Sequence, residues 1–331
     1  MTRTGRKVSK VVFVNILVFA VLFSVVEVGF RFATDSQQSS QYQIIELFRR
    51  SRPDGPGDRR DVDISLTSDG LRVTTGQPED FSGRVLIFGG STTFCGEVED
   101  RETYPSMLQQ KLTSSGLKLK VVNYGKSAAT ATDRIEVLRQ IDDLGPGDIV
   151  IFYVGVNEAG VGFAQRDAPV RLVSKFPKIG TALQRASKYS RVADVMFRAL
   201  VFGGVSVSSE SKDMAVERFD RALKDGSDIA NEAGAKFVPI LQANLYTRDP
   251  MSDYEVELGK MYGSSLEPVV REIYDRLRPI VSDYPFGGDA TSVMNDLKRS
   301  PYYDWHHVDV SGNEKISEFI FEHLHTKAVL K

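Results

Sequence analysis

Five residues of this chain have the types and placement that acyl-transfer chemistry needs: Ser91, Gly125, Asn157, Asp304 and His307. Ser91 follows Gly89-Gly90 directly. A serine on a tight glycine turn at the start of a helix has an exposed hydroxyl, and the helix N-terminus favours developing negative charge. Such a hydroxyl needs an imidazole to take its proton and return it to a leaving group. It also needs a carboxylate to hold that imidazole in the right tautomer and to stabilise its charged form. The four histidines, His306, His307, His323 and His325, all stand near the C-terminal end. His323 and His325 have no carboxylate at a matching offset and read as solvated, so His306 and His307, just after Asp304, are the rivals for the base. Gly125 has no side chain to keep its N–H from a reacting oxygen, and Asn157 brings an amide. With the Ser91 N–H these make three donors for an oxyanion, and losing one such donor typically lowers the rate by about 10²–10³.

These residues need elements to place them. Arg84 to Phe88 is a short apolar run that suits a buried strand. Leu119 to Asn123, Asp148 to Val154 and Ala235 to Leu241 read as further strands. Pro239 removes a ladder donor and so suggests an edge or a bulge in the last of them. Helical spacing marks 103–114, 132–144 (stopped by Gly145-Pro146-Gly147), 268–281 and 314–324. Strands alternating with helices predict an α/β protein with a mostly parallel sheet covered on both faces, in which ligands bind beyond the carboxyl ends of the strands. Ser91, Gly125 and Asn157 each follow such an end.

Taken singly, each piece has a bland reading. Gly-Gly-Ser is a common loop, Asn157 could cap a turn, and Asp304-x-x-His307 could be a local surface hydrogen bond. Together and in order, Gly89-Gly90-Ser91, Gly125, Gly155-x-Asn157 and Asp304-x-x-His307 resemble the four blocks of the SGNH (GDSL-like) hydrolase superfamily, over roughly residues 84–160 and 230–325. The resemblance implies a three-layer α/β/α sandwich. It implies Ser91 as nucleophile with Asp304 and His307, selecting His307 over His306, and Ser91, Gly125 and Asn157 as the oxyanion hole. Ser91-Thr-Thr-Phe94, Glu99-Asp100 and Thr103-Tyr104-Pro105 are similar to membrane-anchored bacterial members associated with cell-surface glycans. Two positions depart from the pattern: Gly90 and Glu158 stand where aspartates are usual. Tyr302, Tyr303 and Trp305 flank the histidine and could stack on a sugar ring, although core or rim packing suits them better.

The remainder of the chain sets the context. Val11 to Phe30 is a twenty-residue apolar run, long enough to cross a bilayer. Arg3, Arg6, Lys7 and Lys10 precede it, which puts the N-terminus inside and the chain beyond about residue 33 outside. A cleaved signal peptide fits less well, because the run is long and 30–34 make a poor cleavage site. The expected organisation is a cytoplasmic tip and transmembrane anchor at 1–33, a polar spacer at 34–80 and a hydrolase domain at 81–331 with a helix-prone insertion at about 160–230. The chain has 331 residues, is 41% hydrophobic and carries 42 basic against 44 acidic residues, a net charge of −2. Such a balance offers no electrostatic footprint for nucleic acid. Its one cysteine, Cys95, excludes an intrachain disulfide and a cysteine-rich metal site. No His/Asp/Glu cluster has ligand spacing in the sequence, so neither a metal nor another cofactor is expected. The partners expected are an acylated glycan, the membrane through residues 11–32 and polysaccharide-assembly proteins. The leading expectation is an anchored serine esterase removing acyl groups, acetyl foremost, from an envelope or extracellular glycan on the periplasmic or extracellular side. An O-acetyltransferase using the same acyl-enzyme and a catalytically idle envelope scaffold are the alternatives.

Overall fold

Residues 53–56, 62–160, 209–260 and 266–330 are described by the structure, a computed structural model. The apolar run 11–30 and the larger part of the 160–230 insertion lie outside them. No helix among the described residues is long and apolar enough to cross a membrane. All of the described residues fall in one unit, Phe48–Ala164 with Ser206–Lys331.

Strand β1 (Gly83–Gly89) buries Val85, Leu86, Ile87 and Phe88 in succession. Strand β3 (Ile149–Val154) is buried at every position. Unbroken apolar runs of this kind belong to strands covered on both faces. With β2 (Leu119–Gly125), β4 (Lys236–Leu241) and the two-residue β5 (Gly288–Asp289), they form a parallel sheet in the order β2-β1-β3-β4-β5. One covering layer pairs α2 (Tyr104–Ser114) with α8 (Val310–Thr326). On the other, α5 (Ser209–Glu232) packs against both α3 (Ala131–Leu138) and α7 (Leu266–Ser282). The short helices α1 (Ser91–Phe94) and α4 (Val156–Ala159) follow β1 and β3, and α6 (Asp253–Lys260) precedes α7. The chain thus adopts the three-layer α/β/α architecture.

The strand order places the site. Connections leave β1 toward β2 on one side and reach β3 on the other, so the carboxyl ends of β1 and β3 flank the point where the winding reverses. A crevice opens at such a point. Ser91 follows β1 and Asn157 follows β3.

Local chemistry fixes the element ends. The Thr103 hydroxyl accepts from the Ser106 N–H at the start of α2, whose first turn carries Pro105. Thr130 and Asp133 form a reciprocal capping box on α3. That helix ends at Leu138 rather than running to Leu144: Gln140, Ile141 and Leu144 enter successive tight turns, and Arg84 holds Asp143 and Asp148 beyond them. Pro239 sits within β4, paired with Phe152. The N–H groups of Lys236 and Gln242 donate to Asp148, just before β3, and to Val154 within it, so by alternation the missing donor of Pro239 faces the other side. There β5 reaches only Ile240 and Leu241. The proline therefore occupies a stretch that is an edge in all but name.

Ahead of β1, Leu66 and Arg72 bridge antiparallel across a turn, and Arg72 also bridges to Asn123. Arg72 is 1% exposed. Its guanidinium donates to the carbonyls of Cys95 and Val98 and pairs with Asp100 at 2.8 Å.

Candidate active site

Ser91 is the first residue of α1, entered from Gly90. His307 comes to it from the loop before α8: Nε2 lies 2.8 Å from Ser91 Oγ, and Nδ1 lies 2.5 Å from Asp304 Oδ2. The other carboxylate oxygen of Asp304 accepts from the backbone N–H groups of His306 (2.8 Å) and His307 (2.7 Å). One carboxylate thus shapes the loop and orients the ring. Burial alone would push the Asp304 carboxyl up. The positive charge of His306 and His307 and the hydrogen bonds from His307 outweigh it and hold the carboxyl well below the usual carboxylate range. A hydroxyl, an imidazole and an ionised carboxylate in line can pass a proton from the hydroxyl to the ring without further movement.

His306 is excluded from that role by position. Its ring packs 4.4 Å from Trp305 and 3.9 Å from His307. Its Nδ1 makes no hydrogen bond and stands 3.4 Å from Asp304. Burial pushes its pKa down to about 4 against the upward pull of Asp304, with His307 adding to the fall. The fold also brings ligand atoms of Asp304, His306 and His307 within 4.8 Å of one another, a cluster that sequence spacing does not suggest. Both ring nitrogens of His307 are already engaged by Asp304 and Ser91, so an ion there would displace the relay. His323 departs from the solvated reading: it is half-buried, and its Nε2 bonds the Phe286 carbonyl at 3.0 Å.

The expected oxyanion donors fare differently. Among the described residues nothing accepts from the Ser91 N–H, at the open first turn of α1. The amide of Asn157 lies against Gly90, where an added Cβ would meet Nδ2 at 2.1 Å. One of its two hydrogens goes to the Ala129 carbonyl at 2.7 Å, which leaves the second for a ligand. Gly125 requires a correction. Its N–H is committed to Asn123 Oδ1 at 2.8 Å, so it is not the third donor. It is a glycine because the backbone of α1 passes too close for a side chain: a Cβ would lie 2.3 Å from the Phe94 nitrogen. Downstream, Ala128 takes a left-handed φ of 60° in the loop that Asn157 latches.

Tyr302 and Tyr303 are buried and offer no stacking face. They tie down the histidine loop instead: Tyr302 bridges to Val308, and the Tyr303 N–H donates to the His307 carbonyl at 2.9 Å. Trp305 is half-buried between Tyr246 and His306.

Three further residues shape the site. Gln242, directly after β4, donates to the Thr92 hydroxyl at 2.6 Å and accepts from the Val156 N–H at 2.9 Å. It thereby joins the segments carrying Ser91 and Asn157. Its signal was its place at a strand end. Glu158 is buried and accepts from the Ala131 and Gly155 N–H groups at 2.6 and 2.9 Å, fixing the turn that presents Asn157. Burial pushes its pKa up against those bonds. Glu97 brings Oε1 to 3.8 Å from His307 Nε2.

Comparison with solved structures returns lipolytic and esterase folds. A member of the lipolytic G-D-S-L family from Veillonella parvula is 11% identical, with 73% of this chain and 97% of that one covered and a TM-score of 0.44. A mutant acetyl-xylooligosaccharide esterase from Geobacillus is 13% identical, covering 74% and 94%, with a TM-score of 0.45. A G-D-S-L family lipolytic protein from Desulfitobacterium hafniense is 15% identical, covering 73% and 99%, with a TM-score of 0.42. No curated protein matches the sequence. Residues 87–264, more than half of the chain, match the GDSL-like Lipase/Acylhydrolase family, and the span includes both Ser91 and Asn157. The chain belongs to that family, as a serine hydrolase acting on ester bonds.

Proposed function

We propose that this protein is a membrane-anchored serine esterase that removes acyl groups, acetyl foremost, from a glycan outside the cytoplasmic membrane. The observation that carries the reading is the line of contacts from Ser91 Oγ through His307 to Asp304, at 2.8 and 2.5 Å. Ser91 Oγ attacks the acyl carbon while His307 Nε2 takes the hydroxyl proton and Asp304 stabilises the imidazolium. The oxyanion is held by the Ser91 N–H and the Asn157 amide. On collapse the bond to the sugar oxygen breaks, and His307 returns the proton to that oxygen. Water then gives a proton to His307 and its oxygen to the acyl carbon, releasing the acid and restoring Ser91. Anchoring through residues 11–32, with the catalytic unit on the outer side, is supported by the apolar run behind Arg3, Arg6, Lys7 and Lys10. The glycan is supported by the resemblance of the segment around Ser91 and Tyr104 to envelope members of the family.

Aryl acetate turnover by the full-length chain, wild type beside Ser91→Ala, tests the reading. Turnover that disappears in the variant is the expected result; equal rates in both would overturn it.

A further inference from the structure

The loop after α1 carries a carboxylate that the relay does not use. Glu97 Oε1 stands 3.8 Å from His307 Nε2, the nitrogen that also contacts Ser91 Oγ. The side chain of Glu97 is 12% exposed. Its position is held from both sides, because Arg72 bonds the carbonyls of Cys95 and Val98 and pairs with Asp100. A buried cation has therefore been spent on the backbone around Glu97, and a second carboxylate has been brought beside the catalytic imidazole.

We propose that Glu97 is a specificity-determining residue, which accepts a hydrogen bond from a hydroxyl adjacent to the ester oxygen in the alcohol half of the substrate. The assignment rests on the esterase reading above and names the feature of the glycan that the site selects. When the tetrahedral intermediate collapses, the leaving oxygen must lie within hydrogen-bond reach of His307 Nε2 to take its proton. Glu97 Oε1 is one short step from that nitrogen. The two oxygens of a vicinal diol are themselves separated by about a hydrogen-bond length, so one can face Nε2 while the other donates to Glu97. A carboxylate offers several lone-pair directions and can take such a donor beside its other contacts. A quaternary ammonium fits less well, since its methyl shell keeps the charge outside hydrogen-bond range. Plain alkyl and aryl esters provide no such donor and forgo that charge-assisted bond. That difference is how a site built around a substrate hydroxyl prefers it over analogues lacking one.

The test compares 1-monoacetin, which has a hydroxyl next to the ester oxygen, with propyl acetate, which lacks it, using the full-length wild type, Glu97→Ala and Glu97→Gln. The readout is the ratio of the two kcat/KM values, in which a general loss of folding or of base strength cancels. Wild type is expected to favour monoacetin by about tenfold or more, Glu97→Ala to lose most of that ratio, and Glu97→Gln, which keeps an acceptor oxygen, to retain part of it. A ratio in Glu97→Ala equal to wild type, with turnover still dependent on Ser91, would overturn the assignment and leave the esterase reading standing. Ester turnover that does not depend on Ser91 would overturn both.

Discussion

A side chain on Gly90 would place its Cβ 2.1 Å from Nδ2 of Asn157. The residue before Ser91 and the amide of Asn157 therefore compete for one space, and here the amide holds it. Gly90→Asp is expected to push the Asn157 amide aside. The far end of a side chain yields cheaply, so the melting temperature should move little. Displacing one oxyanion donor should lower kcat on aryl acetate by about 10²–10³. Melting curves and steady-state rates on the same preparation check both halves.

Asn157 and Gly125 should separate chemistry from architecture. Asn157→Ala removes a donor and one bond to the Ala129 carbonyl, and is expected to lower kcat by about 10²–10³ while the protein stays folded. Gly125→Ala drives a methyl into the backbone at Thr93 and Phe94, which cannot move aside without shifting α1. Its loss should show in the melting temperature and the folded yield.

Asp304→Asn keeps the size of the side chain and removes its charge. The amide can donate toward Nδ1, favouring the tautomer whose Nε2 carries the proton and cannot receive one from Ser91. A fall of about 10⁴ in kcat is expected with KM little changed. Burst-phase and steady-state measurements on an aryl ester distinguish slowed acylation from slowed release.

His306 makes stability depend on pH. Its pKa is about 4 in the folded chain, below the ordinary 6.5, chiefly through burial. As pH falls through 6.5 the unfolded chain takes up a proton that the folded chain refuses. The contribution is thus complete above 6.5 and is lost progressively as pH falls toward 4. The loss over that window is roughly 3 kcal/mol. Urea unfolding above and below the window should show a smaller decline for His306→Phe than for wild type, and an equal decline would count against the argument.

Much of this was legible in the residues, for identifiable reasons. β1 and β3 announce themselves as unbroken apolar runs because both of their faces are covered. Ser91, Asn157, Asp304 and His307 stand at places where the topology must bring ends together. Gly125 misled because a glycine at a strand end is equally suited to baring an N–H and to letting a helix backbone pass. The bond from its N–H to Asn123 and the distance to Phe94 decide between them. Tyr302 and Tyr303 suit core or rim packing better than stacking in the sequence, and they lie buried, but the loop they tie down shows only in the fold. Gln242 acts through partners 150 and 86 residues away, a relation that no local pattern carries. Arg72 lies in a stretch whose composition reads as a polar spacer. A single buried arginine leaves no periodic trace.

The arginine at position 72 also decides where force arrives. Chain leading in from the N-terminal side meets the sheet at this residue, which bridges to Asn123 of β2 while its guanidinium grips the rim of the crevice at Cys95, Val98 and Asp100. Tension that reaches it bears on the rim beside Ser91 and on the edge of the sheet together. A chain trimmed back to the first strand would lose that grip while keeping Ser91, Asp304 and His307.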